Sequence, residues 1–318
     1  MRIVDGSPES LDRAADVLRG GGVVAFPTET VYGLGANALD ASAVARVFEI
    51  KQRPSFDPLI VHVLDEAMLG QVVMGLSPVA VSLAAEFWPG PLTLVVAKRA
   101  AIPDLVTSGL ASVAVRMPAH PIARALLERV QFPLAAPSAN PFGYLSSTRA
   151  EHVTSSLDDR VDLVIDGGPS PLGLESTIVA LEPVPTLLRP GAIPISELEA
   201  VAGPLAISRR DAGQPRSPGR LPQHYAPRTP IRIVDFPDVP LEQRAEAGAL
   251  AFRQAPQGYR IALALAPSGD LRQAAAKFFE FLHDLDAAKV ERIDAEHLPE
   301  RGLGAAMMDR LRRAAHLE

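Results

Sequence analysis

Apolar residues fall at helical spacing in some segments of this chain and run without interruption in others, and the two patterns alternate. In "SPESLDRAADVLRGGG", Ser7 is a candidate N-cap and Pro8 the first helical position. Leu11, Ala14, Ala15 and Leu18 form one face before the glycines end the helix. "GVVAFP" reads as a strand and "SAVARVFEIK" as a second helix with Val44, Val47 and Phe48 on one face; "PLIVHV" reads as another strand. The alternation continues through "SPVAVSLAAEFW", "LTLVVA", "SVAVRMP", "HPIARALLERV", "PLAAPSAN", "VDLVIDGG", "STIVALE" and "TLLRPG". Unbroken Val/Leu/Ile strands between helices predict an α/β sheet covered on both faces or nearly so.

The texture changes between residues 203 and 230, "GPLAISRRDAGQPRSPGRLPQHYAPRTP". Proline and arginine are frequent there and hydrophobic periodicity is lost, which predicts a linker. Arg209, Arg210, Arg216, Arg220 and Arg228 face only Asp211, so the segment is locally basic. After it, "IRIVDF", "EQRAEAGALAFRQ", "YRIALALA", "LRQAAAKFFEFLHDL", "KVERIDA" and "GAAMMDRLRRAA" read as strand and helix three times over, a small Rossmann-like α/β domain without a G-x-G-x-x-G turn. The expected organisation is therefore a catalytic domain over 1–203, a Pro/Arg-rich linker over 204–229 and a small α/β domain over 230–318.

Composition narrows the function classes. A length of 318 residues suits two domains, and 47% hydrophobic with 21% charged residues is ordinary for a soluble enzyme. No apolar run approaches the ~20 residues of a membrane helix, and "MRIVDGSPES" lacks a secretory signal, so a cytoplasmic location is expected. The absence of cysteine removes disulfides, thiolate nucleophiles and cysteine-ligated zinc. A net charge of −6 repels nucleic acid in bulk while leaving room for a local basic groove.

Walker, H-E-x-x-H and G-x-S-x-G motifs are absent. What remains are polar residues where apolar strands end. Lys51 and Arg53 follow a predicted helix end; they either complement its dipole or hold phosphate oxygens, to which a lysine point charge and an arginine fork are suited. His62 sits in an apolar strand, the usual setting of a core histidine. Arg116, in the apolar "SVAVRMP", requires an anionic partner or an open cleft; a substrate carboxylate or an acidic side chain of a neighbouring strand would serve equally. Ser138 and Asn140 in "APSANPFG" suit turn chemistry, and Ser176 and Thr177 open a strand. Tyr225 in "HYAP" looks exposed and could stack on a base.

The order of "PTETVYGLG", "KQR", "PLIVHV", "FWPGPLTLV", "VAVRMP", "PSAN", "LESTIV", "LRPG" and "SPG…HYAP" resembles the threonylcarbamoyl-AMP synthase family, in the long form that joins a YrdC-like domain to a C-terminal domain. The resemblance spans essentially the whole chain. It implies a YrdC-like twisted mixed sheet with helices. It also implies ATP, L-threonine and bicarbonate as substrates, with threonylcarbamoyl-adenylate and pyrophosphate as products. The adenylate would feed threonylcarbamoyladenosine modification of tRNA through a downstream transfer complex, with weak tRNA contact at most.

By the matching motifs, Thr30, His62, Arg116, Ala136 and Ser176 would surround threonine. Lys51, Arg53, Asp57, Ser112, Ser138, Asn140, Ser146, Arg189 and Tyr225 would surround ATP, Lys51 and Arg53 would serve catalysis, and Mg²⁺ would be carried mainly by the phosphates. The linker would act as an active-site lid. Two positions depart from the family pattern. Arg220 to Gln223 replace its usual basic and tyrosine residues, and Asp57 stands where asparagine is more common and would repel phosphate unless Arg53 or Mg²⁺ offsets it. A rival reading, a double-stranded RNA or tRNA-binding module of the same fold, predicts a salt-sensitive basic groove. A second rival, a carbamoyl-transferring maturation enzyme, carries zinc-finger cysteines that this chain lacks.

Overall fold

The computed structural model describes residues 2–208, 217–218 and 225–315. The expected linker residues Arg209, Arg210, Asp211, Arg216 and Arg220 to Gln223 lie outside the described residues.

The elements run β1 (Ile3–Val4), α1 (Pro8–Arg19), β2 (Val24–Phe26), β3 (Gly33–Asn37), α2 (Ala41–Lys51), β4 (Ile60–His62), α3 (Glu66–Val72), α4 (Pro78–Phe87), β5 (Leu92–Ala97), α5 (Asp104–Thr107), β6 (Ser112–Arg116), α6 (Pro121–Val130), β7 (Leu134–Ala135), α7 (Ala150–Leu157), β8 (Leu163–Ile165), β9 (Thr177–Ala180), β10 (Thr186–Arg189), α8 (Ile195–Ala202) and β11 (Ala206–Ile207). A second series follows: β12 (Ile231–Val234), β13 (Ala247–Ala251), β14 (Ile261–Ala264), α9 (Leu271–Ala287), β15 (Arg292–Glu296) and α10 (Leu303–Ala314).

Strands β1 to β11 form one mixed sheet in the order β1-β8-β2-β3-β7-β4-β6-β5-β9-β10-β11. The remaining four make a separate parallel sheet, β12-β15-β13-β14. Local chemistry fixes the helix starts. Ser7 Oγ accepts from Ser10 N and Pro8 opens α1, a cap worth about 1 kcal/mol. Leu11, Ala14, Ala15 and Leu18 are buried, as the spacing requires. No helix among the described residues is long and apolar enough to cross a membrane.

Two expectations are corrected. "EQRAEAGALAFRQ" reads as a helix because it is rich in alanine and glutamate, yet its second half is the buried strand β13 between β14 and β15. Gly248 explains the choice: a Cβ there would come 2.9 Å from Leu285 Cδ2 of α9, so this strand lies close under that helix. Strand β11 falls inside the stretch read as linker and pairs in parallel with β10. Both its residues are exposed, so backbone hydrogen bonds alone hold it and no hydrophobic period marks it.

The two sheets are joined by a shared core. Val31, Leu145 and Leu174 of the first series pack with Tyr225, which precedes the second series, and with Phe278, Phe279, Leu282, Met307 and Leu311 of it. Polar contacts ring that core. Tyr144 Oη donates to Asp286 Oδ2 at 2.6 Å, and Arg149 pairs with Glu280 at 2.7 Å. His283 Nε2 donates to Ser146 O while its ring stacks on His152 at 3.9 Å. Burial pushes these imidazoles down, His152 to about 3 and His283 to about 4, so the stack is neutral near pH 7.

Candidate active site

Parallel strands β4 and β6 end side by side, with His62 and Arg116 as direct partners in register. Because alternate residues of a strand share a face, both side chains project toward the segment that follows β2 and the turn that follows β7. Together with the start of β9 and the end of β10, these line a narrow cleft that is partly open to solvent. Its lining includes Thr28, Thr30, Arg53, His62, Arg116, Ala136, Ser138, Glu175, Ser176, Arg189 and Tyr225.

The Arg116 side anchors a dense network. Its guanidinium pairs with Glu29 Oε1 at 2.5 Å and donates to Thr30 Oγ1 at 2.8 Å and Gly90 O at 3.1 Å. Of the two anions expected for Arg116, an acidic side chain is the one in contact. Burial raises the Glu29 carboxyl, but the Arg116 guanidinium more than offsets this and holds it below its ordinary range. His62, buried beside Arg116, is pushed down to about 3 and is therefore a neutral ring at pH 7.

Lys51 and Arg53 are not solvent-exposed helix-end charges. Lys51 is 1% exposed, and its Nζ donates to the backbone carbonyls of Ser138 and Asn140, tying α2 to the turn after β7. Burial, then the neighbouring Arg53, push its ammonium well below the ordinary lysine range. Arg53 lies beyond Gln52, whose left-handed backbone (φ 54°) ends α2 and turns the chain inward. The Arg53 guanidinium pairs with Asp57 Oδ2 at 2.7 Å and donates to the carbonyls of Asp57 and Pro58. Asp57 is fully buried; its carboxyl is pushed up by burial and held back by Arg53, Lys51 and Arg189. Asp57 is thus already neutralised by Arg53.

The β9–β10 side is built on close backbone packing. A Cβ on Gly191 would lie 2.4 Å from Glu175 O, so only glycine lets "LRPG" lie against "LEST". That approach sets Arg189 beside Ser176, donating to its carbonyl and hydroxyl and to Pro218 O. Ser176 Oγ also bonds Thr93 Oγ1 at 2.7 Å. Burial, opposed by Tyr225, lowers the Arg189 guanidinium from its usual value. Among the described residues, neither Arg189 nor Lys51 has a carboxylate within ion-pair distance.

Several expected residues sit differently. Tyr225, expected to be exposed, is 1% exposed, and burial raises its phenol. Asn140 Nδ2 bonds the carbonyls of Pro141 and Tyr144, the turn role its residue type suggests, and Ser146 is fully buried behind the cleft with Oγ donating to Glu175. Ser112 is not brought to the cleft. It lies at the other end of β6 from Arg116, about 13 Å away at strand rise, and borders a separate hollow with Val95, Ala97 and Leu181. Sequence reasoning missed Glu29 and Glu175. Both stand inside quoted motifs, but the partners that give them meaning come from distant strands and helices. Among the described residues no cluster of three or more His, Asp or Glu could hold a metal ion.

Such a cleft, with cations that exceed their local carboxylates on one side and an Arg–Glu pair beside threonine hydroxyls on the other, gives an α/β protein whose pocket suits anionic small molecules. Family models match residues 16–191 ("Telomere recombination") and 193–316 ("Threonylcarbamoyl-AMP synthase, C-terminal domain"). The threonylcarbamoyl-AMP synthase of Pyrococcus abyssi is 41% identical over 95% of this chain and 93% of its own. That of Bacillus subtilis is 41% identical over 95% and 92%. The crystal structure of P. abyssi Sua5 complexed with L-threonine superposes with a TM-score of 0.91 at 38% identity, covering 99% of this chain and 97% of that one. The chain belongs to the threonylcarbamoyl-AMP synthase family.

Proposed function

We propose that this protein is an L-threonylcarbamoyladenylate synthase, joining L-threonine, bicarbonate and ATP to give threonylcarbamoyl-AMP and pyrophosphate for tRNA modification. One observation carries the reading: Arg189, a cation without a carboxylate partner among the described residues, lines the same cleft as Arg53, Arg116 and Thr30, while Lys51 stands behind that wall and holds the Ser138 turn through its carbonyl. In this reading the cationic side receives the triphosphate, and the threonine carboxylate takes the Arg116 fork from Glu29, freeing that carboxylate for the amino group. Thr30 and Ser176 hydroxyls, Ala136 and the neutral His62 shape the rest of the threonine pocket.

The chemistry requires no covalent relay. Threonine's amine and bicarbonate give a carbamate with loss of water, a carbamate oxygen attacks the α-phosphorus, and pyrophosphate leaves. Since both reactants are anions, the residues' task is to neutralise and align them, which fixed guanidinium and hydroxyl groups do in a site shielded from water. Mg²⁺ fits as part of the nucleotide substrate, because the nearby carboxylates Glu29, Asp57 and Glu175 are engaged by Arg116, Arg53 and Arg310. Ser112 would be reached only by the far end of an extended nucleotide. The segment 204–229 is proposed as the lid, with Tyr225 as its anchor against the cleft. The adenylate would pass to a tRNA-modifying complex in the cytoplasm.

The product tests this reading. With ATP, L-threonine and ¹³C-bicarbonate, mass spectrometry should find an AMP adduct that carries both threonine and the labelled carbon. An adduct of AMP and threonine without the label would refute it.

A further inference from the structure

Arg310 of α10 has the largest fully buried side chain among the described residues, and it is aimed at the first sheet's site. Its Nε donates to Glu175 Oε2 at 3.1 Å, and its guanidinium carbon lies 5.0 Å from the centroid of the Tyr225 ring. Both residues line the cleft. We propose that Arg310 is a positioning residue through which the C-terminal unit completes the nucleotide side of the cleft: it fastens the Tyr225 ring and neutralises Glu175. The inference rests on the reading of that side as the ATP site.

Three observations set this apart from ordinary core filling. First, Arg310's other acidic neighbour, Asp309, is already paired with Arg313 at 3.1 Å, whereas among the described residues Arg310 is the cation within ion-pair distance of Glu175. Truncating Arg310 would leave an uncompensated carboxylate in a cleft that receives an anion. Second, Glu175 Oε1 accepts from Ser146 Oγ, so the pair also fixes the Ser146 hydroxyl directly behind that wall. Third, Tyr225 has φ 64°, a left-handed backbone that a bulky side chain rarely adopts and that only strong anchoring maintains. Its anchors include Arg310 over the ring and Phe279, the two aromatic ring centroids 5.9 Å apart. A cation held over a tyrosine ring suits this task, and the planar guanidinium serves it better than an ammonium.

Two measurements on the full chain test the proposal. Arg310→Met should raise the KM for ATP by about tenfold or more while the KM for threonine stays within about twofold, because the charge left behind faces the nucleotide. Glu175→Gln on that background should recover most of the ATP dependence, since it removes the same charge. Hydrogen exchange at the Ala226 amide, which donates to Gly143 O at 2.9 Å, should quicken about tenfold in Arg310→Met as the Tyr225 anchor is lost. Arg310→Lys, which keeps the charge and gives up the stacked plane, should raise the KM for ATP less than Arg310→Met does and still quicken exchange; it also serves as the comparison if the methionine variant does not fold. Wild-type ATP dependence in a folded Arg310→Met, or no recovery by Glu175→Gln, would overturn the proposal. Exchange needs no nucleotide, so faster exchange in a protein that never responds to ATP would refute the functional reading and leave the anchor standing. Unchanged exchange in an ATP-dependent enzyme would refute the anchor alone.

Discussion

Arg53→Ala should abolish most ATP-dependent turnover, by about 100-fold or more, and should also lower stability by about 3 kcal/mol. The stability loss follows from the buried pair: removal of the guanidinium leaves the fully buried Asp57 carboxylate without its 2.7 Å partner. That is the opposite of what a helix-end charge would do, since such a charge contributes well under 1 kcal/mol at an exposed surface. A second substitution separates the two effects. Arg53→Ala/Asp57→Asn should recover most of the melting temperature, because no buried charge is then unpaired, while turnover stays low. Denaturant unfolding and initial rates at subsaturating ATP, taken on both variants, make the comparison. Recovery of activity along with stability in the double variant would show that Arg53 serves the fold alone.

Arg116→Lys should raise the KM for threonine by about 10- to 100-fold and leave the KM for ATP within about twofold. A lysine keeps the charge but cannot reproduce a guanidinium that meets Glu29, Thr30 Oγ1 and Gly90 O from one plane. The pairing with Glu29 sharpens this expectation. If the threonine zwitterion divides that pair, its carboxylate to Arg116 and its ammonium to Glu29, then Glu29→Gln should weaken threonine as well, whereas a purely structural ion pair would lower the melting temperature and leave threonine dependence unchanged. Steady-state rates with threonine varied at fixed, saturating ATP are the measurement.

The outline of the first sheet was legible because its helices and strands announce themselves locally. The face of α1, the end of α2 and the apolar strands β4, β5 and β6 need only period and capping to be read. Strand β3, "GLGAN", was not legible: two of its five residues are glycine, kept by the Phe26 ring that a Cβ on Gly35 would meet at 2.6 Å. The alanine-rich β13 read as a helix for want of β-branched residues, and tertiary burial overrode that propensity.

Within the site, the motif residues Thr30, Arg53, His62, Arg116, Ser138, Ser176, Arg189 and Tyr225 line one cleft. The counter-charges were invisible because each pairs across the fold: Glu29 with Arg116, Glu175 with Arg310. Spacing along the chain carries no trace of such contacts. Tyr225 looked exposed because no predicted helix or strand surrounds it in sequence, whereas its neighbours in space include Phe279 and Arg310.

The central claim is that one cleft joins three substrates, and pyrophosphate release measures it most directly. With ATP present, release should be negligible with threonine alone in bicarbonate-free buffer, negligible with bicarbonate alone, and rapid only when both are supplied. Release that proceeds at the same rate without threonine or without bicarbonate would contradict the account.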